Sequence, residues 1–269
     1  MRNRNPFFCL QSFCRACFNA LLLLAPMTGV HADASLKSRS VAKAAGGNPN
    51  VLFIISDDLK PLLGCYGTSW IKSPNIDRLA ARGTVFMANY CQVAFCAPTR
   101  FSLLTGLRPD STGVYLNPDQ PQDLLRTRLP DGVTLPQQFK NHSYTTHPLH
   151  KVFDGRTVDQ GHDAASWTVP YGPWEMAPGE KPAPGGYQDP ATKARLAEAL
   201  KEGKPAPGPA TEACDIPDNA YHDGGVAHTA AKRIREFSQK KQPFFLAVGF
   251  VKPHLPFIAP KKYLSLIHI

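Results

Sequence analysis

The chain contains no apolar run long enough to anchor it permanently in a membrane. Its most apolar early stretch, Ala20-Leu-Leu-Leu-Leu-Ala-Pro26, falls short of the ~20 apolar residues that a spanning helix needs, and no later stretch approaches that length. The chain also contains no internal repeat and no true low-complexity run, which argues against a repeat architecture. The sequence therefore predicts a protein without a membrane span.

The first residues have the order of a secretory signal. Arg2 and Arg4 precede the short apolar run, and small residues at Ala32 and two positions later offer cleavage sites for signal peptidase. We interpret residues 1–34 as a signal peptide and the small, polar residues 35–49 as a linker. The mature protein is therefore expected to be exported to the periplasm, the extracellular space or the lumen of the secretory pathway.

Cysteine is scarce outside this leader. Of the seven cysteines, three lie in the leader and four remain: Cys65, Cys91, Cys96 and Cys214. An even count in an exported protein permits two disulfides, but only one intramolecular disulfide can form if Cys96 is chemically converted. The sequence leaves the pairing among the other three open.

Acidic residues are outnumbered, with 21 Asp and Glu against 30 Lys and Arg, and the formal net charge is +9 at pH 7. Three leader arginines contribute to that balance, so the mature chain is moderately basic. Such a surface suits anionic substrates, while an ordinary basic surface is an equal alternative. No nucleic-acid partner is predicted.

Two continuous apolar segments, residues 51–55 and 243–250, predict strands buried on both faces of a parallel sheet. Caps and helical periodicity predict helices at residues 73–83, 134–140 and 221–240. Two further extended pieces are expected at residues 84–89 and 143–146. The fold class is therefore α/β, with a largely parallel sheet flanked by helices.

Residues 170–217 carry ten prolines, which should exclude continuous helix or sheet except at residues 192–201. We interpret this segment as a surface insertion that shapes the access of substrate. A disordered spacer is the alternative.

Polar residues follow both predicted strands. Asp57 and Asp58 come after the first strand, and His254 follows the second, at the carboxyl edge where open α/β sheets bind ligands. Adjacent buried carboxylates repel each other unless a cation or hydrogen bonds compensate. Oxygen ligands favour Ca²⁺ or Mg²⁺ over zinc, and a solvated or capping pair is the alternative.

Residues 94–106 join a cysteine, a proline and an arginine at the start of a helix. Pro98 is placed to open this helix and Gly106 to end it. Cys96 would then lie at the positive end of the helix dipole, and Arg100, one turn on, can return to the same pocket. Without this context Cys96 would be an ordinary core thiol or a disulfide partner.

The spacing of Cys96, Pro98 and Arg100 resembles the signature of type I sulfatases, in which a dedicated enzyme oxidises the cysteine to Cα-formylglycine. Residues 50–58 resemble the first strand and paired metal ligands of that family, and residues 252–257 resemble its iduronate-2-sulfatase-like branch. The resemblance implies an alkaline-phosphatase-like α/β fold, with residues 50–269 as the N-terminal part of the catalytic domain.

The resemblance also implies a role for each site residue. The hydrated aldehyde at position 96 attacks the sulfur of a sulfate ester, and its second hydroxyl then expels sulfate. Arg100 holds the hydrate and the metal-site carboxylates, and Lys151 contacts the sulfate oxygens. His254 lies near the scissile oxygen, where it can donate a proton.

The implied cofactor is one Ca²⁺ ion, held by Asp57, Asp58 and the converted Cys96. The implied partners are a sulfated carbohydrate as substrate and the formylglycine-generating enzyme during maturation. Two alternative functions stay open. The same formylglycine could hydrolyse phosphodiesters or phosphonates, or an inactive fragment could bind sulfated glycans.

The chain departs from the family pattern near Lys151. His150 stands where the family usually has glycine, and Asp154 stands where related members can carry histidine. Asp154 could meet a cationic or hydroxyl-rich group of the substrate. Three nearby histidines are further candidates that the sequence does not rank: His147, His150 and His162.

A second departure concerns the metal site. The family's remaining metal ligands and a second lysine have no counterpart in this sequence, and residues 264–269 do not resemble the family's continuation. The 269 residues alone are therefore expected to show little or no sulfatase activity.

Overall fold

The computed structural model of the chain describes residues 47–205 and 207–264. The predicted signal peptide and residues 35–46 of the predicted linker lie outside the described residues, as do residues 265–269. No helix in the described part of the chain is both long and apolar enough to cross a bilayer.

The described residues form five strands and eight α-helices. The strands are β1 (Val51–Ser56), β2 (Thr145–His150), β3 (Thr211–Cys214), β4 (Phe244–Phe250) and β5 (Phe257–Pro260). The first five helices are α1 (Pro74–Ala80), α2 (Cys96–Thr105), α3 (Pro109–Thr112), α4 (Leu124–Arg128) and α5 (Leu135–Asn141). The last three are α6 (Pro190–Lys201), α7 (His222–Ser238) and α8 (Lys261–Leu264).

Three strands form a parallel sheet in the order β1-β4-β2, and β3 and β5 form a separate parallel pair. In the larger sheet Val51 pairs with Phe245 and Thr145 pairs with Phe244. The carboxyl ends of all three strands therefore meet at one edge. The predicted α/β class with a parallel sheet flanked by helices is confirmed.

The central strand β4 has apolar side chains packed on both faces of the sheet, which explains its continuous apolar sequence. Phe245 packs on one face against Phe53 and Phe139, with ring centroids 5.9 and 4.5 Å away. Leu246 packs on the other face in a cluster with Val226 of α7. Because alternate residues of a strand point to opposite faces, β4 joins the two halves of the core.

The edge strand β1 differs from its prediction. Val51, Phe53 and Ile55 pack against the core, but Leu52 and Ile54 are 45% and 54% exposed. The prediction that this strand is buried on both faces is therefore wrong. In the described part of the chain, α7 covers β2 and β4 and leaves the outer face of β1 in solvent.

Residues 84–89 do not form the predicted strand. They form turns and irregular backbone, and Phe86 and Met87 are exposed. A strand is stabilised by pairs with a neighbouring strand, and none of the described strands lies beside this segment in a sheet.

The helix of the cysteine motif begins two residues earlier than predicted. Its first residue is Cys96, and Phe95 is the N-cap. Pro98 is tolerated at the third position because the first four N–H groups of a helix have no partner within it. Gly106 ends the helix at φ 73°, a left-handed conformation that glycine adopts at no steric cost, as predicted.

The proline-rich segment contains more regular structure than its composition suggests. Asp189 caps α6 by accepting a hydrogen bond of 2.8 Å from Thr192 N, and β3 pairs with β5. Tyr187 and Leu196 pack against Ile258 of β5. The expectation that prolines exclude strand here is wrong, because they flank β3 and do not interrupt it.

Buried His147 should make the stability of the fold depend on pH. Its side chain is 4% exposed, and burial lowers its pKa from 6.5 to about 4. Its stabilising contribution is therefore complete above pH 6.5 and lost as the pH falls towards 4. From pH 7 to pH 5 we expect His147 to reduce the free energy of unfolding by about 2 kcal/mol.

Urea unfolding at pH 7 and pH 5 measures this effect in the wild type and in His147→Leu. The variant should lose that part of the pH dependence, while His228→Leu, at an exposed position on α7, should keep it. An unchanged pH dependence in His147→Leu would contradict the assignment.

Candidate active site

The carboxyl edge of the larger sheet brings the predicted site residues together. Asp57 directly follows β1, Lys151 directly follows β2, and His254 lies in the loop after β4. Two hydrogen bonds join the ends of β1 and β4: Asp57 N donates to Phe250 O at 3.1 Å, and Ser56 Oγ donates to Lys252 O at 2.7 Å. The parallel strands thus fix the backbone on which the site is built.

Asp57 lies at the centre of the site, and its carboxylate is 7% exposed. Its Oδ1 accepts from Arg100 Nη2 at 3.0 Å, and its Oδ2 accepts from Lys151 Nζ. Burial alone would raise the pKa of Asp57, but the hydrogen bonds from Lys151 and Arg100 outweigh it and lower that pKa below its usual value. Asp57 is therefore an anion at neutral pH.

Arg100 connects the helix to the loop after β2. Its guanidinium, 3% exposed, donates to Asp57 and through Nη1 to the carbonyls of Lys151 and Val152, the latter at 3.1 Å. Of the two carboxylates that Arg100 was expected to hold, the contact observed is the one with Asp57. Nε has no hydrogen-bond partner among the described residues.

Cys96 opens α2, so its side chain lies at the positive end of the helix dipole. Its Sγ is 3.6 Å from Asp57 Oδ2 and 3.8 Å from Lys151 Nζ. Burial raises the pKa of the thiol; Lys151 opposes this effect, and Asp57 adds to it. Since the thiolate is the reactive form of cysteine, the protonated thiol at this position is a poor nucleophile.

His254 approaches the site from the loop after β4. Its Nδ1 is 2.6 Å from the carbonyl of Leu255, which can only accept, so Nδ1 carries a proton. The other ring nitrogen, Nε2, is 3.8 Å from Asp58 Oδ2. The side chain of Asp58 is 59% exposed, so Asp58 meets His254 and solvent and lies outside the buried cluster of Asp57 and Arg100.

The donors at this edge fit one side of a divalent-cation site. One atom each of Asp57, Cys96 and His254 lie within 4.8 Å of one another. With cysteine at position 96 the set mixes oxygen, sulfur and nitrogen, whereas a hydrated aldehyde there would supply oxygen, the ligand that Ca²⁺ and Mg²⁺ prefer. Asp58 stands next to this set, although its side chain points outward.

Two of the three unranked histidines lie beside Lys151. His150 and His162 line a small cavity of about 160 Å³ together with Lys151, and His162 stacks on Tyr171 with ring centroids 3.6 Å apart. Burial lowers the pKa of His150 to about 4. His147 instead packs against Phe237 on the α7 side of the sheet, so it is not part of the site.

Arg156 is a residue of the site that was not predicted from the sequence. This residue lies in the loop that carries Lys151 and pairs with Asp154, whose side chain is 4% exposed. Asp154 therefore faces an arginine of its own chain, which corrects the expectation that it could meet a group of the substrate. The two-residue spacing of Asp154 and Arg156 is the sequence feature from which this ion pair could have been predicted.

Comparisons with known proteins relate this chain to one family. The profile of the family described as Sulfatase matches residues 49–266. Iduronate 2-sulfatase from Mus musculus is 34% identical over 86% of this chain and 40% of its own length. A sulfatase from Formosa agariphila is 33% identical over 81% of this chain and 41% of its own length. The chain thus spans about two fifths of these relatives.

A solved structure shares the fold. The phosphonate monoester hydrolase of Agrobacterium radiobacter superposes with a TM-score of 0.53 and 21% identity, over 81% of this chain and 44% of the other. The profile match begins just before β1 and extends past α8, so it includes all three strand ends that carry the site. The chain belongs to the sulfatase family.

Proposed function

We propose that the protein hydrolyses sulfate esters of a carbohydrate, with a formylglycine made from Cys96 as the nucleophile. The observation that carries this proposal is the position of Cys96 at the start of α2, within 4 Å of both an acidic and a basic side chain. The raised pKa of the thiol supports it, because an unmodified cysteine here would react poorly.

The conversion of Cys96 is an oxidation that a separate maturation enzyme must perform. The CH₂–SH group and one water become an aldehyde and hydrogen sulfide, and two electrons and two protons pass to an acceptor such as dioxygen. The half-buried position of Cys96 in the folded chain favours conversion before folding is complete. The formylglycine-generating enzyme is therefore the partner we propose for maturation.

Hydrolysis then needs a displacement at sulfur followed by an elimination that releases sulfate. Water adds to the aldehyde to give two hydroxyl groups, and one of them attacks the sulfur while the bond between sulfur and the sugar oxygen breaks. The sugar leaves as an alcohol. The second hydroxyl loses its proton, the aldehyde forms again, and the carbon–oxygen bond to sulfate breaks, which releases sulfate.

The side chains around position 96 have distinct roles in this scheme. Lys151 Nζ, beside Cys96, would bind the sulfate oxygens and stabilise the charge that develops on them. Arg100 holds Asp57 and the loop of Lys151 in place through its three contacts. His254 Nε2, when protonated, would donate a proton to the leaving sugar oxygen.

We also propose Ca²⁺ as the cofactor, with Asp57, Asp58 and residue 96 as ligands. A bound divalent cation would polarise sulfate oxygens and favour the ionised nucleophile. Asp57 already has the required negative charge, and Asp58 would have to turn inward from its exposed position. The described residues provide fewer oxygens than the six to eight that Ca²⁺ takes.

The proposal that the substrate is a carbohydrate is based on the names of related proteins. Two of them are named for carbohydrate esters, iduronate 2-sulfatase and N-acetylgalactosamine-6-O-sulfatase. We propose a sulfated carbohydrate for this protein on that basis, and export from the cytoplasm on the basis of its N-terminal sequence.

The reaction class can be tested on the gene product that contains this chain, produced together with the maturation enzyme. We expect an aryl sulfate to be hydrolysed faster than an aryl phosphonate or an aryl phosphodiester at equal concentration. The opposite order would assign the site to the phosphonate and phosphodiester alternative, and turnover of none of them would contradict the proposal.

Replacing Lys151 should slow the reaction and leave the metal bound. We expect Lys151→Ala to lower kcat about 100-fold, because it removes a charged donor from the sulfate oxygens. Calcium content should stay at the wild-type level, since Lys151 is not a ligand. Steady-state kinetics and metal analysis measure both effects. Lys241→Ala, at the opposite end of the sheet, is the matched control, and an unchanged kcat in Lys151→Ala would refute the role.

A further inference from the structure

Arg156 is a cation of the site to which the proposed reaction assigns no role. Its guanidinium donates from Nε to Asp154 Oδ1 and from Nη2 to Asp154 Oδ2, both at 2.8 Å. Such a paired contact fixes the plane of the guanidinium. It also leaves Nη1 outside the contact, with its two N–H donors free of Asp154.

The partner of Arg156 is rigidly placed. Asp154 Oδ1 also accepts from Arg156 N at 3.1 Å, and Asp154 O accepts from the backbone and the hydroxyl of Thr157, both at 2.9 Å. Val152 and Phe153 just before it are buried, and Gln122 N donates to Arg156 O at 3.1 Å. The loop therefore holds the guanidinium in one place.

Arg156 lies beside the reacting residue. It belongs to the loop after β2 that begins at Lys151, whose Nζ is 3.8 Å from Cys96 Sγ. The hydrogen bonds to Asp154 raise the pKa of the guanidinium, and an interaction with the Cys96 side chain adds to that increase. Arg156 is the most exposed of three arginine and lysine side chains here, with 36% of its side chain exposed against 22% for Lys151 and 3% for Arg100. The sugar of a sulfate ester held at position 96 would extend towards solvent, on the side where Arg156 is exposed.

We propose that Arg156 binds a second anionic group of the substrate, a sulfate or carboxylate on the sugar that carries the scissile sulfate. Asp154 is its positioning residue. Asp154 neutralises one edge of the guanidinium and aims the other at the substrate, so the site selects sugars with two anionic groups over sugars with one. This inference rests on the proposed function, since it takes the scissile sulfate to lie at position 96.

Binding to the unconverted protein, in which Cys96 remains a thiol, tests the inference without turnover. Calorimetry at about 0.15 M salt, close to physiological ionic strength, gives the Kd of a disaccharide with two sulfates on one sugar and of the same disaccharide with one. We expect the wild type to prefer the doubly sulfated probe at least about tenfold, because a charge-assisted hydrogen bond is worth that much.

The variants separate a specific contact from general charge. Arg156→Gln should reduce the preference to less than about twofold, a small fraction of the effect of a charge-assisted bond. Arg156→Lys should keep part of it, and Asp154→Asn should weaken it by releasing the guanidinium. Arg235→Gln loses the same charge from an exposed position near the end of α7 and should keep the full preference. Thermal unfolding checks that each variant is folded.

Three results would overturn the inference: a wild type without preference, an Arg156→Gln protein with the wild-type preference, or equal weakening of both probes by Arg156→Gln. The last result would place Arg156 on the scissile sulfate. If the converted enzyme hydrolyses no sulfate ester but the preference still depends on Arg156, the proposed function fails and the binding site remains.

Discussion

Asp57→Ala should abolish sulfate-ester hydrolysis and destabilise the fold. Asp57 contacts Arg100, Lys151 and Cys96, so its loss removes both a proposed metal ligand and the anchor of two cations. Arg100 would remain 3% exposed without its carboxylate. Breaking a buried pair in this way costs about 3–5 kcal/mol, and we expect a loss of that size in the free energy of unfolding.

Three measurements on the gene product check this prediction: kcat/KM on an aryl sulfate, bound calcium and urea unfolding. Turnover should fall by more than about 1,000-fold, since a metal ligand and the position of Lys151 are lost together. Asp119→Ala removes an exposed carboxylate and should change none of the three. An Asp57→Ala enzyme with wild-type turnover and calcium content would show that the metal assignment is mistaken.

Low pH should also destabilise the fold, because it protonates Asp57. The pKa of Asp57 is lowered in the folded protein, so its stabilising contribution is present above the unfolded value of 3.8 and is lost as the pH falls below it. This acid-induced loss lies below the range in which His147 acts, so the two effects can be separated in one pH series.

Cys96→Ser should stop catalysis after a single turnover. A serine hydroxyl can attack the sulfur and release one equivalent of alcohol, but it has no second hydroxyl on the same carbon with which to expel sulfate. A sulfated serine should accumulate at position 96. Cys96→Ala should release no alcohol at all, because it has no nucleophile.

Rapid mixing with an aryl sulfate and intact-mass analysis test both variants. The serine variant should give a burst of alcohol equal to the enzyme concentration and a mass increase of one SO₃ group. Cys214→Ser, at a half-buried cysteine of β3, is the matched control and should turn over repeatedly. Repeated turnover by Cys96→Ser would contradict the two-hydroxyl mechanism.

The sequence allowed the central part of the site to be predicted because its residues follow strong local signals. The apolar runs of β1 and β4 end at Asp57 and Lys252, and parallel strands necessarily bring these ends to one edge. The spacing of Cys96 and Arg100 places both on one side of α2, where Arg100 reaches Asp57. Local sequence pattern and sheet topology thus both place the site at the carboxyl edge of the larger sheet.

The missed features depend on contacts that no local pattern encodes. The exposed outer face of β1 depends on which helix covers the sheet, and its apolar sequence is the same in either case. The pairing of Asp154 with Arg156 depends on the turn closed by Thr157, which decides where the carboxylate points. Asp58 looked equivalent to Asp57, but a left-handed backbone at φ 55° turns its side chain towards solvent.

Identifying the chemical state of residue 96 tests the proposed formylglycine mechanism most directly. The gene product would be produced with the maturation enzyme and digested, and the peptide that contains residue 96 would be sequenced by tandem mass spectrometry beside that of a control sulfatase from the same host. We predict an aldehyde at position 96 that reacts with a hydrazine reagent. An intact Cys96 thiol that is alkylated by iodoacetamide, in a host that converts the control, would contradict the account.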